Sequence, residues 1–144
     1  MNRKEVISGI FKLQSNLNSG LKKVLSHPKY TKLQIKVLLE LDNQNGWVGL
    51  KDLSSKLIVS QTSITRVVER MQKQRLIHFK VPPNDRRKIL IKPSPAGNQL
   101  LKNFYEVVDI FLKKIDKGLN NNEKKNFQVI FEKINLTDFF SDLE

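Results

Sequence analysis

The sequence predicts a mainly α-helical chain with a short β-hairpin in its middle, and three observations predict it. Apolar residues recur at helical spacing in long stretches near both ends, from Asn2 to about Ser26 and from Ser94 to Leu119. Between them two shorter helical patterns, Leu50 to Leu57 and the stretch opened by Ser60, are separated by a tight turn. Two strand-like runs follow, Ile77 to Val81 and Lys88 to Lys92, on either side of the turn residues Pro82-Pro83-Asn84-Asp85. Helix, turn, helix and hairpin in that order make a winged helix-turn-helix.

The second helix of the pair carries the chemistry. Ser60 is a good N-cap, because its hydroxyl can accept an orphan N–H of the first turn. Ile64, Val67, Val68 and Met71 then form one apolar stripe. The opposite face carries Gln61, Thr62, Ser63, Thr65, Arg66, Glu69, Arg70 and Lys73. Short hydroxyl and amide side chains at a helix start approach base edges closely, and arginine grips guanine with two hydrogen bonds. Glu69 has two readings: it accepts from a cytosine amino group, or it pairs with Lys73 one turn on. The preceding helix, apolar at Leu50, Leu53 and Leu57, braces the second and leaves Lys51 near the phosphates. Arg86, Arg87 and Lys88 sit in the hairpin loop, and a basic loop beside a reading helix suits a minor groove.

Charge points the same way. The 144-residue chain has a net charge of +12. Residues 51–92 hold eleven Lys and Arg against three acids, whereas residues 93–144 are net −1. A cationic excess concentrated on one motif favours a polyanion, here double-stranded DNA. The absence of cysteine excludes disulfides, a thiol nucleophile and a Cys-based zinc site. His27 and His78 are isolated, so neither a metal set nor a base with its orienting partner is in view. The six glycines are scattered and form no phosphate-cradling loop. Catalysis, a cofactor and a metal are therefore not expected. The first eleven residues place charge before a short apolar run broken by Ser8 and Gly9, and no stretch approaches the ~18 apolar residues of a membrane span. The expected location is the cytoplasm of a bacterium, at the nucleoid.

The remaining elements frame the module. The first helix has Val6, Ile7, Ile10, Phe11, Leu13, Leu17 and Leu21 on its stripe, and Ser26-His27-Pro28 ends it. Thr31 caps the next, with Leu33, Val37, Leu38 and Leu41 inward, stopping by Asn43. Asn45-Gly46 is a turn, and Trp47-Val48 is a stub that can add a third strand to the wing. Ser94 is the N-cap and Pro95 the first residue of the long helix that follows. Asn121 or Asn122 caps a last helix, with Phe127, Ile130, Phe131 and Ile134 inward and an apolar tail at Leu136, Phe139, Phe140 and Leu143. Six of the eight phenylalanines lie in residues 104–144, more apolar helix than one winged module needs. Residues 1–30 and 95–144 are therefore expected to be dimerisation helices around a DNA-binding region, residues 31–94. A homodimer also matches paired half-sites spaced by roughly 34 Å.

On these residues the chain resembles the multiple antibiotic resistance regulator (MarR) family of winged helix-turn-helix transcriptional regulators. Ser60, Ile64, Thr65, Arg66, Arg70, Leu76 and Ile77 match around the reading helix. Asp85-Arg86-Arg87 matches the wing, and Ser94-Pro95-Ala96-Gly97 the opening of the helix after it. The similarity runs from about Tyr30 to Leu119. The resemblance implies that Asp85 holds Arg87 and that Arg87 enters the minor groove. It implies a homodimeric, ligand-responsive repressor acting on a pseudo-palindromic operator. It also implies a small anionic or phenolic effector between the dimerisation helices and the winged module, a region bordered by segments carrying Phe11, Tyr30, Leu33 and Trp47. Three positions depart from the family: Arg75 stands where glycine is usual, Phe79 where arginine is frequent, and Pro93 where leucine is frequent. A left-handed backbone at Arg75 would cost roughly 1 kcal/mol or more.

The residues leave two other readings open. An architectural DNA binder needs little more than charge, and a basic interaction module would meet an acidic protein. The mixed Gln, Thr, Ser and Arg face speaks against the first, and the Asp85-Arg86-Arg87 wing against the second.

Overall fold

The protein, seen in a computed structural model that describes residues 2–25 and 30–136, is mainly helical with one small sheet. The helices are α1 (Arg3–Leu25), α2 (Lys32–Gln44), α3 (Leu50–Lys56), α4 (Gln61–Lys73), α5 (Pro95–Gly118) and α6 (Asn121–Leu136). The strands are β1 (Val48–Gly49), β2 (Ile77–Lys80) and β3 (Leu90–Pro93), in the order β1-β3-β2 and antiparallel throughout. The stub before α3 is thus a third wing strand, one residue further on than expected. The chain forms two compact units, residues 1–107 and 108–144, each described by itself. His27 and the tail at Phe139, Phe140 and Leu143 lie outside the described residues.

In the first unit the core gathers the apolar stripes of the helix pair, α2 and the inner face of the sheet. Leu38, Leu53, Ile64, Met71 and Ile91 are fully buried, and Leu100 and Leu101 of α5 close over them. Each such side chain stabilises the fold by about 1.5–3 kcal/mol. The α4 stripe is buried as the periodicity requires: Ile64, Val68 and Met71 face inward, and Val67 packs at the edge.

The caps explain where the helices begin. Thr31 and Gln34 form a reciprocal capping box: the Thr31 hydroxyl accepts from the Gln34 N–H, and the Gln34 amide oxygen accepts from the Thr31 N–H at 2.8 Å. The Ser60 hydroxyl accepts from the Ser63 N–H at 3.1 Å. The Ser94 hydroxyl accepts from the Gly97 N–H at 3.1 Å and donates to the Arg75 carbonyl at 2.6 Å, pinning the start of α5 to the end of α4. The cap of α6 is Asn120, not Asn121 or Asn122. Its side-chain oxygen accepts from the Asn122 and Glu123 N–H groups, while Glu123 accepts from the Asn120 N–H at 2.7 Å.

Two further boundaries shift for visible reasons. α2 runs on to Gln44 because Asn45 takes the left-handed conformation (φ 48°) that ends it. β3 begins at Leu90 rather than Lys88. The Lys88 N–H is spent on the Asp85 carbonyl and the Ile89 carbonyl accepts from Leu50, so neither group serves the ladder with β2. Ile130 and Phe127, expected to face inward, are 56% and 40% exposed.

Candidate nucleic-acid interface

Reading helix and wing come together on one side of the sheet end. A cleft of about 510 Å³ is lined from three directions: Lys51 on α3, Gln61 and Thr65 on α4, and Asp85, Arg87 and Lys88 on the wing. Six of the residues singled out in the sequence therefore converge. Asp52 lines the same cleft and was not anticipated. The remaining candidates, Ser60, Thr62, Ser63, Arg66, Arg70 and Arg86, are all exposed, with Arg66 and Arg70 one helical turn apart on α4.

Local hydrogen bonds fix what each side chain can still offer. The Ser54 hydroxyl, one of the few buried polar groups, lies 2.9 Å from both the Lys51 carbonyl and the Gln61 amide oxygen, and its one proton, shared between them, turns that oxygen inward. The Gln61 amide NH₂ is left as the donor a base edge or phosphate would meet. The Thr65 hydroxyl donates back to the Gln61 carbonyl at 2.8 Å, which leaves its oxygen as an acceptor. The Ser60 hydroxyl donates to that of Ser63 at 2.8 Å. Among the described residues Glu69 is not ion-paired to Lys73.

The wing loop is a stack of local turns. The Asp85 N–H donates to the Pro82 carbonyl and the Lys88 N–H to the Asp85 carbonyl. The Asp85 carboxylate accepts from the Arg87 backbone N–H at 3.1 Å. Asp85 holds the Arg87 backbone rather than its guanidinium, an Asx-turn that leaves the guanidinium exposed. Among the described residues Arg66, Arg86, Arg87 and Lys88 form no ion pair. Their charge is available to an outside anion.

Two positioning features escaped the sequence reading. Gln34, fully buried, donates from its amide to the Gln74 side chain at 2.6 Å, so the capping box of α2 is tied to the C-cap of the reading helix. Gln34 stands in a helical run between Leu33 and Ile35, where nothing marks it as buried. Trp47 lies with the wing. The Lys80 and Lys92 ammonium groups sit 4.3 and 4.9 Å from its ring centroid. Tyr30 packs at the core edge, and Phe11 is 65% exposed on α1. Among the described residues no three His, Asp or Glu side chains gather as a metal set, and no helix is long and apolar enough to cross a membrane.

A three-stranded wing, a capped reading helix and a cationic face joining them define a winged helix-turn-helix protein built to face a polyanion. Comparison with known proteins gives the likeness a name. Residues 30–89 match the MarR family. The HTH-type transcriptional regulator FarR of Neisseria gonorrhoeae is 25% identical over 101 residues, which are 70% of this chain and 68% of that protein. A MarR variant from E. coli complexed with operator DNA is 21% identical, with a TM-score of 0.64 over 93% of this chain and 99% of that one. Bordetella bronchiseptica BpsR, solved to explain how 6-hydroxynicotinic acid regulates its DNA binding, is 23% identical, with a TM-score of 0.68 over 95% of each chain.

Proposed function

We propose that this protein is a homodimeric, sequence-specific transcriptional regulator, a ligand-responsive repressor that works in the bacterial cytoplasm by binding rather than by catalysis. The single observation that carries the reading is the convergence of α3, α4 and the wing on one cleft lined by Lys51, Gln61, Thr65, Arg87 and Lys88. Arg66, Arg70, Thr62 and Ser63 read bases in the major groove, with Ser60 fixing the start of the helix. Arg86, Arg87 and Lys88 serve the minor groove, with Asp85 shaping the loop, and Lys51 holds a phosphate.

The dimer rests on the helices outside the winged region, residues 1–30 and 95–144. Ile7, Ile10 and Phe11 lie at helical spacing on one face of α1 and are 53–65% exposed, and Ile110 and Ile130 are 57% and 56% exposed. An effector enters by analogy with BpsR, and it acts by changing the separation of the two reading heads. Arg87→Ala tests the site: affinity for operator DNA should fall at least tenfold, about 1.4 kcal/mol, with an unchanged urea midpoint. Undiminished binding by that variant would remove the wing from the reading.

A further inference from the structure

We propose that Trp47 is a positioning residue for DNA binding: its indole holds Lys80 and Lys92 side by side on the wing sheet as a clamp for backbone phosphates outside the groove that the wing loop enters. The inference rests on the DNA-binding reading above and extends the footprint to a face that reading does not use.

Trp47 immediately precedes β1, the edge strand, and β1 pairs only with β3. Lys92 is on β3 and Lys80 on β2, so two strands and the residue leading into the third contribute one group each. The register puts Lys92 opposite His78, and Lys80 two residues beyond His78 on the same side of the pleat. The other side carries Val48, Ile77 and Ile91, which are buried in the core. The lysines therefore stand on the face that points away from the protein.

Trp47 is 36% exposed at the strand end. Its ring offers an electron-rich face, to which ammonium groups within about 6 Å of the centroid are attracted. Both lysines meet that condition, at 4.3 and 4.9 Å. Drawing two like charges to one ring costs repulsion between them, and neither lysine is ion-paired to a carboxylate among the described residues. Backbone phosphates set against the two ammonium groups relieve that cost. β2 and β3 are the two strands joined by the loop that holds Arg86 and Arg87. A wing seated in a minor groove thus presents the pair to the sugar-phosphate backbone beside it, where contacts fix orientation without reading sequence. The trio of Trp47, Lys80 and Lys92 comes from three separate stretches of the chain, which only the sheet register brings together.

The test is a salt series of binding to a labelled duplex carrying the DNA upstream of the protein's own gene. The Lys80→Gln, Lys92→Gln double variant should lower the log–log salt slope by about 1.8, roughly 0.9 for each phosphate that is no longer neutralised. Trp47→Leu should lower the slope in part, with an unchanged melting temperature, and Trp47→Phe should restore it, because phenyl keeps a π face. An unchanged slope in the double variant, with Arg87→Ala still defective on the same duplex, overturns the clamp and leaves the DNA-binding reading standing. A slope reduced equally in Trp47→Leu and Trp47→Phe overturns the role of the ring. Absence of DNA binding by the unaltered protein overturns the clamp together with the reading it rests on.

Discussion

Among the described residues two non-glycine residues outside the α2 cap hold left-handed backbone, and they bear on stability in different ways. Arg75 has φ 58°, at the position where the family usually has glycine, and the strain anticipated there is present. Ile58 has φ 51° in the turn between α3 and α4, a costly conformation for a β-branched residue, and its side chain is 92% exposed. Replacing it with glycine removes the steric penalty and sacrifices no burial, against a glycine entropy cost of about 0.5–1 kcal/mol. Ile58→Gly is expected to stabilise the protein by roughly 1 kcal/mol, and Arg75→Gly by less, as shifts in the urea midpoint. A loss of stability in Ile58→Gly would mean that the exposed isoleucine has a packing partner. Arg75 was legible in the sequence because a family pattern marks its position. Ile58 was not: Leu57-Ile58-Val59 reads as a core run, and only the turn geometry pushes its middle member outward.

At the scale of elements, the winged region is held by a few close approaches. Gly97, in the first turn of α5, has no room for a side chain: an added Cβ would fall 2.1 Å from the Leu76 carbonyl oxygen and 3.1 Å from Leu38. The Ser94 N–H donates to that same carbonyl at 3.0 Å, so the backbone there cannot easily shift. Gly97→Ala should therefore destabilise by about 1–3 kcal/mol, read as a lowered melting temperature. A neutral effect would show that α5 can slide on the strand it follows. Caps and stripes made most elements readable: Thr31, Ser60 and Ser94 sit where side-chain chemistry places helix starts. The cap of α6 was misplaced by two residues at most, although Glu123 three positions after Asn120 completes a capping box that points to it. The start of β3 was hidden because Lys88 is drawn into a local turn by the Asp85 carbonyl, and the Ile89 carbonyl accepts from the distant Leu50 N–H at the start of α3. The cleft was legible as residue types but not as a shape, and the Gln34–Gln74 link, 40 residues apart in sequence, leaves no local pattern.

For the whole molecule, what the chain leaves uncovered is as informative as its core. Apolar faces on α1, α5 and α6 stay exposed in one copy, so the protein should sediment as a dimer. Ile10→Glu should shift it toward monomer and weaken binding to a two-half-site duplex far more than to a single half-site. A dimer unaffected by that charge would place the interface elsewhere. The net charge of +12 alone guarantees some affinity for any nucleic acid, so binding by itself says little. Sequence-specific reading by α4 and the wing is therefore best tested by comparing the DNA upstream of the protein's own gene with a scrambled duplex across a salt series. The expected result is a preference of about a thousandfold or more that persists at physiological salt. Equal affinity for both duplexes, falling together with a slope set only by neutralised phosphates, would refute it.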